Sequence, residues 1–185
     1  MSELPEVRIR PYRVDDAPLV LAAVRESMNE LQRWMPWCHP GYSLDDSRVW
    51  LEAQVPAFAQ GTAFEFAIVS EDERYLGGCG LNQIDGVNRR ANLGYWVRTS
   101  ATRGGVATRA VHTLREWGFQ HTHLLRLEIV VAVGNLPSRR VAEKAGALRE
   151  GVLKSRILLH GEPHDATMFS FTRTPAASNS TQAAT

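Results

Sequence analysis

The chain has 185 residues, 44% of them hydrophobic and 22% charged, with a formal net charge of +1. That composition predicts one soluble globular domain with ample core, and no basic run is long enough for an extended nucleic-acid footprint. No stretch approaches the ~20 apolar residues that span a bilayer, and Met1-Ser2-Glu3-Leu4-Pro5 lacks the basic-then-apolar profile of an export signal. Cys38 and Cys79 stand far apart and are expected as free thiols, so a cytoplasmic enzyme is the expectation.

Val7 to Tyr12 alternates and ends near Pro11, which predicts a first strand. Asp15 and Asp16 open a helix through Leu19, Val20, Ala23 and Val24, with Pro18 tolerated in its first turn. Met28, Leu31, Trp34, Met35 and Trp37 lead into a proline- and glycine-rich turn from Pro36 to Gly41. Ser43 and Asp46 are spaced as a capping box. The helix they start carries Val49, Trp50, Ala53 and Phe58, with a break expected near Pro56. Two strands follow, 63–69 and 75–81, joined by the charged turn from Glu71 to Arg74. Asp85-Gly86 and Asn88-Arg89-Arg90 then turn the chain into a fourth strand.

In that strand Leu93, Tyr95 and Val97 alternate with Asn92, Gly94 and Trp96. After Thr99-Ser100-Ala101 the period changes, and Ala107, Ala110, Val111, Leu114 and Gly118 form the apolar stripe of a helix. Thr102, Arg103, Gly104 and Gly105 lie between. Glycines at a helix entrance let a ligand approach the backbone. The free N–H groups of the first turn then suit a phosphate or pyrophosphate, although a plain glycine-rich turn would read the same. Arg126 to Val131 is the next strand, Asn135 to Gly146 a short helix, and 148–159 and 166–171 the last two strands. Three antiparallel strands followed by strand–helix–strand–helix–strand make a layered α/β or α+β domain over residues 1–173. The Ala/Ser/Thr-rich segment 174–185 is expected to be disordered.

The two central pieces together resemble the GCN5-related N-acetyltransferase superfamily, over roughly residues 7–173. Of the family's Gln/Arg-x-x-Gly-x-Gly/Ala loop, Gly105 and Ala107 match the last two positions. Thr102 departs at the first, with Arg103 beside it to supply charge. Asn135-x-x-Ser138, Glu143-Lys-Ala-Gly-Ala147, Trp34-Met-Pro-Trp37 and Gly161-x-x-His164-Asp165 are similar to the branch that acetylates ribosomal protein N-termini. The resemblance implies an acyl-CoA N-acyltransferase fold: a mixed, mostly antiparallel sheet with a parallel, splayed strand pair and helices on both faces. It implies acetyl-CoA as cosubstrate, no metal, and a primary amine as acceptor. Homodimers are common in that branch, and no residue here marks one.

Attack of an amine on a thioester needs a grip on the cofactor, a neutral amine, an oxyanion donor and a proton for the leaving thiolate. By the resemblance, the grip falls to the backbone of Arg103, Gly104, Gly105, Val106, Ala107 and Thr108. The acyl chain follows the backbone at Val97 and Thr99, with an N–H near Val97 as oxyanion donor. Asn135 is a good N-cap, and in the family it also reaches the pantetheine. Ser138 shares a helix face with Val141, Ala142 and Ala145 and so points at the sheet. Many relatives carry a tyrosine seven residues after the asparagine; here that position is Ala142, so Ser138 is expected to serve the thiolate, unless it merely caps or packs. Arg139 and Arg140 suit either the CoA 3′-phosphate or a solvated face.

The general base is open. Ile157 occupies the branch's glutamate position, which leaves Glu128, Glu65 or the His164-Asp165 pair, each also readable as a sheet charge pair or a turn. Trp34, Trp37 and Tyr42, with Trp50, are expected to wall the acceptor side or to be plain core. Cys38 and His39 lack the second ligand pair that a metal needs. P-loop, hydrolase and zincin motifs are missing. The resulting expectation is an acetyl-CoA-dependent N-acetyltransferase acting on a protein or peptide N-terminal α-amine. The alternatives are a small-molecule amine (amino acid, polyamine or antibiotic) as acceptor, or a CoA-binding domain without catalysis.

Overall fold

The computed structural model describes residues 6–173, so the expectation of a disordered 174–185 lies outside the described residues. Seven strands, β1 (Val7–Pro11), β2 (Phe64–Ser70), β3 (Tyr75–Asp85), β4 (Arg90–Val97), β5 (Arg126–Ala132), β6 (Leu148–Leu159) and β7 (Glu162–Thr172), form one sheet in the order β1-β2-β3-β4-β5-β7-β6. The helices are α1 (Ala17–Glu26), α2 (Met28–Trp34), α3 (Leu44–Gln60), α4 (Val106–His121) and α5 (Leu136–Lys144). All neighbouring strands are antiparallel except β4 and β5. A parallel neighbour needs a crossover, and α4 supplies it.

Strand alternation divides the side chains between two cores. Leu81, Leu93 and Leu127 pack with Val111 and Leu114 of α4, with Ala142 of α5 and with Ala145 at its C-cap. On the opposite face Ala67, Val69 and Tyr75 pack with Val20 and Val24 of α1 and with Leu51 of α3. Both strands of the β3 and β7 expectations run longer, to Asp85 and from Glu162.

Two expectations for α3 need correction. Its capping box is present, with Ser43 N–H donating to Asp46 Oδ2 at 2.8 Å and Asp46 N–H to Ser43 Oγ at 3.2 Å. However, the helix runs through Pro56 without a break. Pro56 and Glu52, whose carbonyl loses its i+4 donor, are both exposed, so water satisfies the group that an internal proline would otherwise orphan. The buried face is also different: Ser47 and Leu51 are fully buried, whereas Val49 is 68% exposed. A 17-residue helix against a sheet edge buries one narrow stripe, and the apolar residues outside it stay in solvent.

Gly77 sets the β3–β4 contact. It pairs with Val97 at φ 155°, and a Cβ there would overlap the Trp96 carbonyl and stand 2.8 Å from Val97 Cα. Backbone cannot yield as a side chain can. Gly77→Ala is therefore expected to destabilise the protein by about 3 kcal/mol, read as a lowered midpoint in urea unfolding. A shift under ~0.5 kcal/mol would show that the ladder relaxes freely.

Candidate active site

The site begins where two strands part. β4 and β5 pair only at Arg90↔Arg126, Ala91↔Leu127 and Asn92↔Glu128. Beyond that point β4 stays on β3 to Val97, and β5 stays on β7 to Ala132. A wedge opens between them. Arg98 N–H donates to Leu76 O at 2.8 Å, so antiparallel alternation turns Trp96, Gly94 and Asn92 toward β3. The N–H and C=O groups of Leu93, Tyr95 and Val97 consequently face the wedge, and Val97 is where the sequence placed an oxyanion donor.

At the wide end lies the entrance to α4. Arg103 (φ 66°) and Gly105 (φ 84°, ψ 0°) are both left-handed, and Gly105 is the N-cap. Alternation of right- and left-handed residues curls successive N–H groups into an anion-binding concavity. No side chain caps the helix among the described residues, and a Cβ on Gly104 would meet nothing within 4 Å. The first-turn donors of Val106, Ala107 and Thr108 are thus free for a ligand. Thr99 is different. Its N–H donates to Ser27 Oγ at 2.9 Å, its carbonyl accepts from Thr102 N–H at 3.1 Å, and its hydroxyl donates to Glu30 at 3.2 Å. Those bonds tie the loop to the α1–α2 junction and leave Thr99 little to offer a ligand. Glu26 adds a second tie to Arg98 and to Ser100 N–H (2.7 Å), and the Arg98 hydrogen bond is the main reason its carboxyl titrates at about 2.

Over the wedge stands α5. Asn135 Oδ1 accepts Ser138 N–H at 3.2 Å, and Ser138 faces the sheet as its helical spacing predicts. What the sequence reading missed is its partner. Tyr95 Oη donates to Ser138 O at 2.9 Å and lies 3.1 Å from Ser138 Oγ. Burial pushes this phenol up to about 12, against a smaller opposing effect of the Ser138 hydrogen bond. The inward side of β4 was legible. That α5 would set a serine on Tyr95, 43 positions away, was not.

The aromatic residues separate. Trp34 crosses the mouth of the wedge, since a Cβ on Gly134 would lie 3.4 Å from its ring. Trp37 is 43% exposed and packs 6.0 Å from Trp96 and 5.8 Å from Tyr42. Tyr42 lies beneath it, buried and bonded to Ser47 Oγ at 3.2 Å. Trp50 packs edge-on against Tyr12 instead.

Among the base candidates, Glu128 receives Arg126 Nε at 2.7 Å and Arg90 at 3.2 Å, one on each carboxylate oxygen. It also points to the face opposite Tyr95 and Ser138. The paired arginines disfavour the catalytic role expected of it. Asp165 accepts Ser155 N–H at 3.0 Å and Lys154 Nζ at 2.8 Å, which hold its carboxyl below the usual range and fasten the β6 bulge. Arg139 reaches back to the Val133 carbonyl at 3.4 Å, and Arg140 is exposed. Among the described residues no group of three or more His, Cys, Asp or Glu is placed to hold a metal, and no helix is long and apolar enough to cross a membrane.

Comparison with known proteins decides the family. Residues 6–148 match the profile of the acetyltransferase (GNAT) domain. The chain belongs to the GNAT acetyltransferases. It is 30% identical over 139 residues to the ribosomal-protein-serine acetyltransferase of Escherichia coli (strain K12), covering 75% of this chain and 77% of that one. The structure of Mycobacterium smegmatis RimJ in complex with CoA-disulfide superposes with a TM-score of 0.82 at 27% identity, over 91% and 82% of the two chains. The microcin C7 self-immunity acetyltransferase MccE, in complex with acetyl-CoA and AMP, shares the fold at 23% identity (TM-score 0.84, 91% and 93% covered). As a GNAT enzyme the protein is an acetyl-CoA-dependent N-acetyltransferase. The wedge, with both facing strand edges unpaired, and the uncapped α4 entrance fit an extended thioester chain and a diphosphate, respectively.

Proposed function

We propose that this acetyltransferase modifies the α-amino group at a protein or peptide N-terminus. The observation that carries the proposal is the composition of the wall around the wedge mouth. Trp34 and Trp37 present apolar surface, while the acids beside them offer a single unneutralised carboxylate: Arg98 pairs with Glu26, and Glu30 keeps only the Thr99 hydroxyl. A polycationic acceptor would want free carboxylates there. A neutral-backboned peptide end does not, and the E. coli relative named for ribosomal-protein serine acetylation agrees. An α-amine also suits the chemistry, because its pKa of ~8 leaves about a tenth neutral at pH 7, against well under a thousandth for lysine.

Acetyl-CoA supplies the acetyl group as a thioester. Around it, the first-turn N–H groups from Gly105 to Thr108 and the Arg103 charge hold the diphosphate end, with Asn135 beside the pantetheine. Val97 N–H points into the wedge as the oxyanion donor, a contribution of ~3 kcal/mol in comparable sites. Tyr95 and Ser138 form a hydroxyl pair beside the leaving sulfur. A buried phenol at about 12 is a poor outright acid, so it donates a hydrogen bond as sulfur becomes charged, and it releases its proton only as another arrives from the nitrogen.

Thiol release from acetyl-CoA, measured against matched peptides with free and blocked N-termini alongside polyamines and free amino acids, tests the acceptor. Release confined to free peptide N-termini is expected; release confined to small amines would replace the proposal.

A further inference from the structure

The α1/α3 face of the sheet carries a buried carboxylate outside this scheme. Glu65, on β2, turns its carboxylate over β3, where a Cβ on Gly80 would overlap it. Asn82 Nδ2 donates to Glu65 Oε1 at 2.9 Å, and Asn92 Nδ2 donates to Asn82 Oδ1 at 2.9 Å. A hydrogen-bonded row therefore crosses β2, β3 and β4 and ends beside the wedge. Unlike Glu128, Glu65 meets no arginine or lysine among the described residues, and burial raises its affinity for a proton, with Asn82 opposing.

Beside the row the sheet is bare only at Gly94: the Glu65 carboxylate lies over Gly80, opposite it, and the Tyr12 hydroxyl and Trp96 ring lie over Gly78. A Cβ on Gly94 would find only Asn92 Nδ2 at 3.7 Å and Asn82 Nδ2 at 3.9 Å. Asn92, Gly94 and Trp96 are each partly exposed although β4 is a central strand. Asn92 and Gly94 floor a short trench between the Glu65 row and the Trp96 ring, beside the β4 edge of the wedge. The helices α4 and α5 cover the opposite face, so this trench is the open way in for an acceptor. Behind the carboxylate, a cavity of about 140 Å³ lined by Pro11, Tyr12, Gln54, Val55, Phe58 and Glu65 has room for water.

We propose that Glu65 is the proton acceptor for the incoming ammonium, with Asn82 and Asn92 ordering solvent and amine over Gly94. The inference rests on amine acetylation at the wedge. The acceptor's ammonium gives one proton through solvent to the Glu65 carboxylate. The freed nitrogen lone pair forms the C–N bond at the acetyl carbon, the C–S bond breaks, and the sulfur leaves with the electron pair. The second nitrogen proton reaches sulfur through Tyr95 and Ser138, and Glu65 returns its own to solvent. Tyr12, beyond β1, and Cys79, on β3, are the titratable groups that feel this carboxylate; burial keeps both neutral at working pH, and the α3 residues beside it are uncharged.

Glu65→Gln keeps the shape and the acceptor for Asn82. It should lower kcat/KM about 10-fold at pH 7, where about a tenth of an α-amine is already neutral, leave CoA affinity and melting temperature near wild type, and recover as pH rises past the acceptor's pKa of ~8. Gly80→Ala, which displaces the carboxylate without removing it, should move activity in the same direction, and Glu65→Asp should retain part of it. In the free protein, the carboxyl 13C signal of Glu65 should titrate above an ordinary glutamate. A wild-type rate in Glu65→Gln, or a loss equal at every pH, would overturn the role. Because the ratio of variant to wild type is taken with whichever amine the enzyme accepts, it judges Glu65 separately from the peptide assay that judges the acceptor.

Discussion

Tyr95→Phe is expected to lower kcat about 10²-fold while acetyl-CoA affinity stays near wild type. The phenol hydroxyl sits on Ser138 O and Oγ at 2.9 and 3.1 Å, at a strand position whose backbone opens into the wedge. Removing one donor from a charge that develops only during reaction typically costs ~3 kcal/mol of transition-state stabilisation. It should cost binding little, since the ground-state thioester is uncharged. Ser138→Ala leaves the phenol in place and is expected to lose about 10-fold. The double variant should fall little below Tyr95→Phe, because the two hydroxyls act as one relay and effects within a unit are not additive.

The pH behaviour of that pair has a definite sign. Burial raises the folded-state phenol to about 12, above the ~10 of an unfolded tyrosine. Its contribution to stability is complete below pH ~10 and disappears as pH rises toward 12. The hydroxyl therefore keeps its proton across the working range, and no alkaline limb of kcat should arise from it below pH ~11. If Tyr95→Phe retained the wild-type kcat, the thiolate would be served by water, and the bond to Ser138 would be a packing feature.

The contrast between Ser138 and Tyr95 shows what a sequence pattern carries. Ser138, Val141, Ala142 and Ala145 lie on one helical face, and a periodicity of 3.6 suffices to aim the serine at the sheet. Tyr95 was placed correctly on the same side as Leu93 and Val97, yet its use depends on which strand α5 covers, and that follows from the β4–α4–β5 crossover. Glu65 and Glu128 make the same point. Both are glutamates in apolar strands, and local pattern cannot rank them. Register does: Glu128 falls between Arg90 and Arg126, while Glu65 falls opposite a glycine with an asparagine as its donor. The Pro56 expectation failed for a related reason, since the cost of a helical proline depends on whether its orphaned carbonyl reaches water. Motif spacing located the α4 entrance, because a first turn of a helix makes its donors from backbone alone.

That entrance gives the second large effect. Gly105→Asp is expected to weaken CoA binding about 10³-fold. Asp is a good N-cap and tolerates the left-handed conformation better than most residues, so α4 should persist and the fold should lose little. The new carboxylate would take the first-turn N–H groups for itself and set a negative charge where the diphosphate must lie. Two like charges ~4 Å apart near a surface repel by ~4 kcal/mol, which corresponds to the stated loss. Gly105→Asn separates the two causes, since it fills the same donors without the charge and should fall between wild type and Asp. Calorimetric titration with CoA reads the affinity, and the rise in melting temperature on adding CoA, which follows RT ln(1 + [L]/Kd), should vanish for Asp and shrink for Asn. Wild-type affinity in the Asp variant, with an unchanged melting temperature in the free protein, would move the diphosphate away from α4 and remove the main support for its assigned donors.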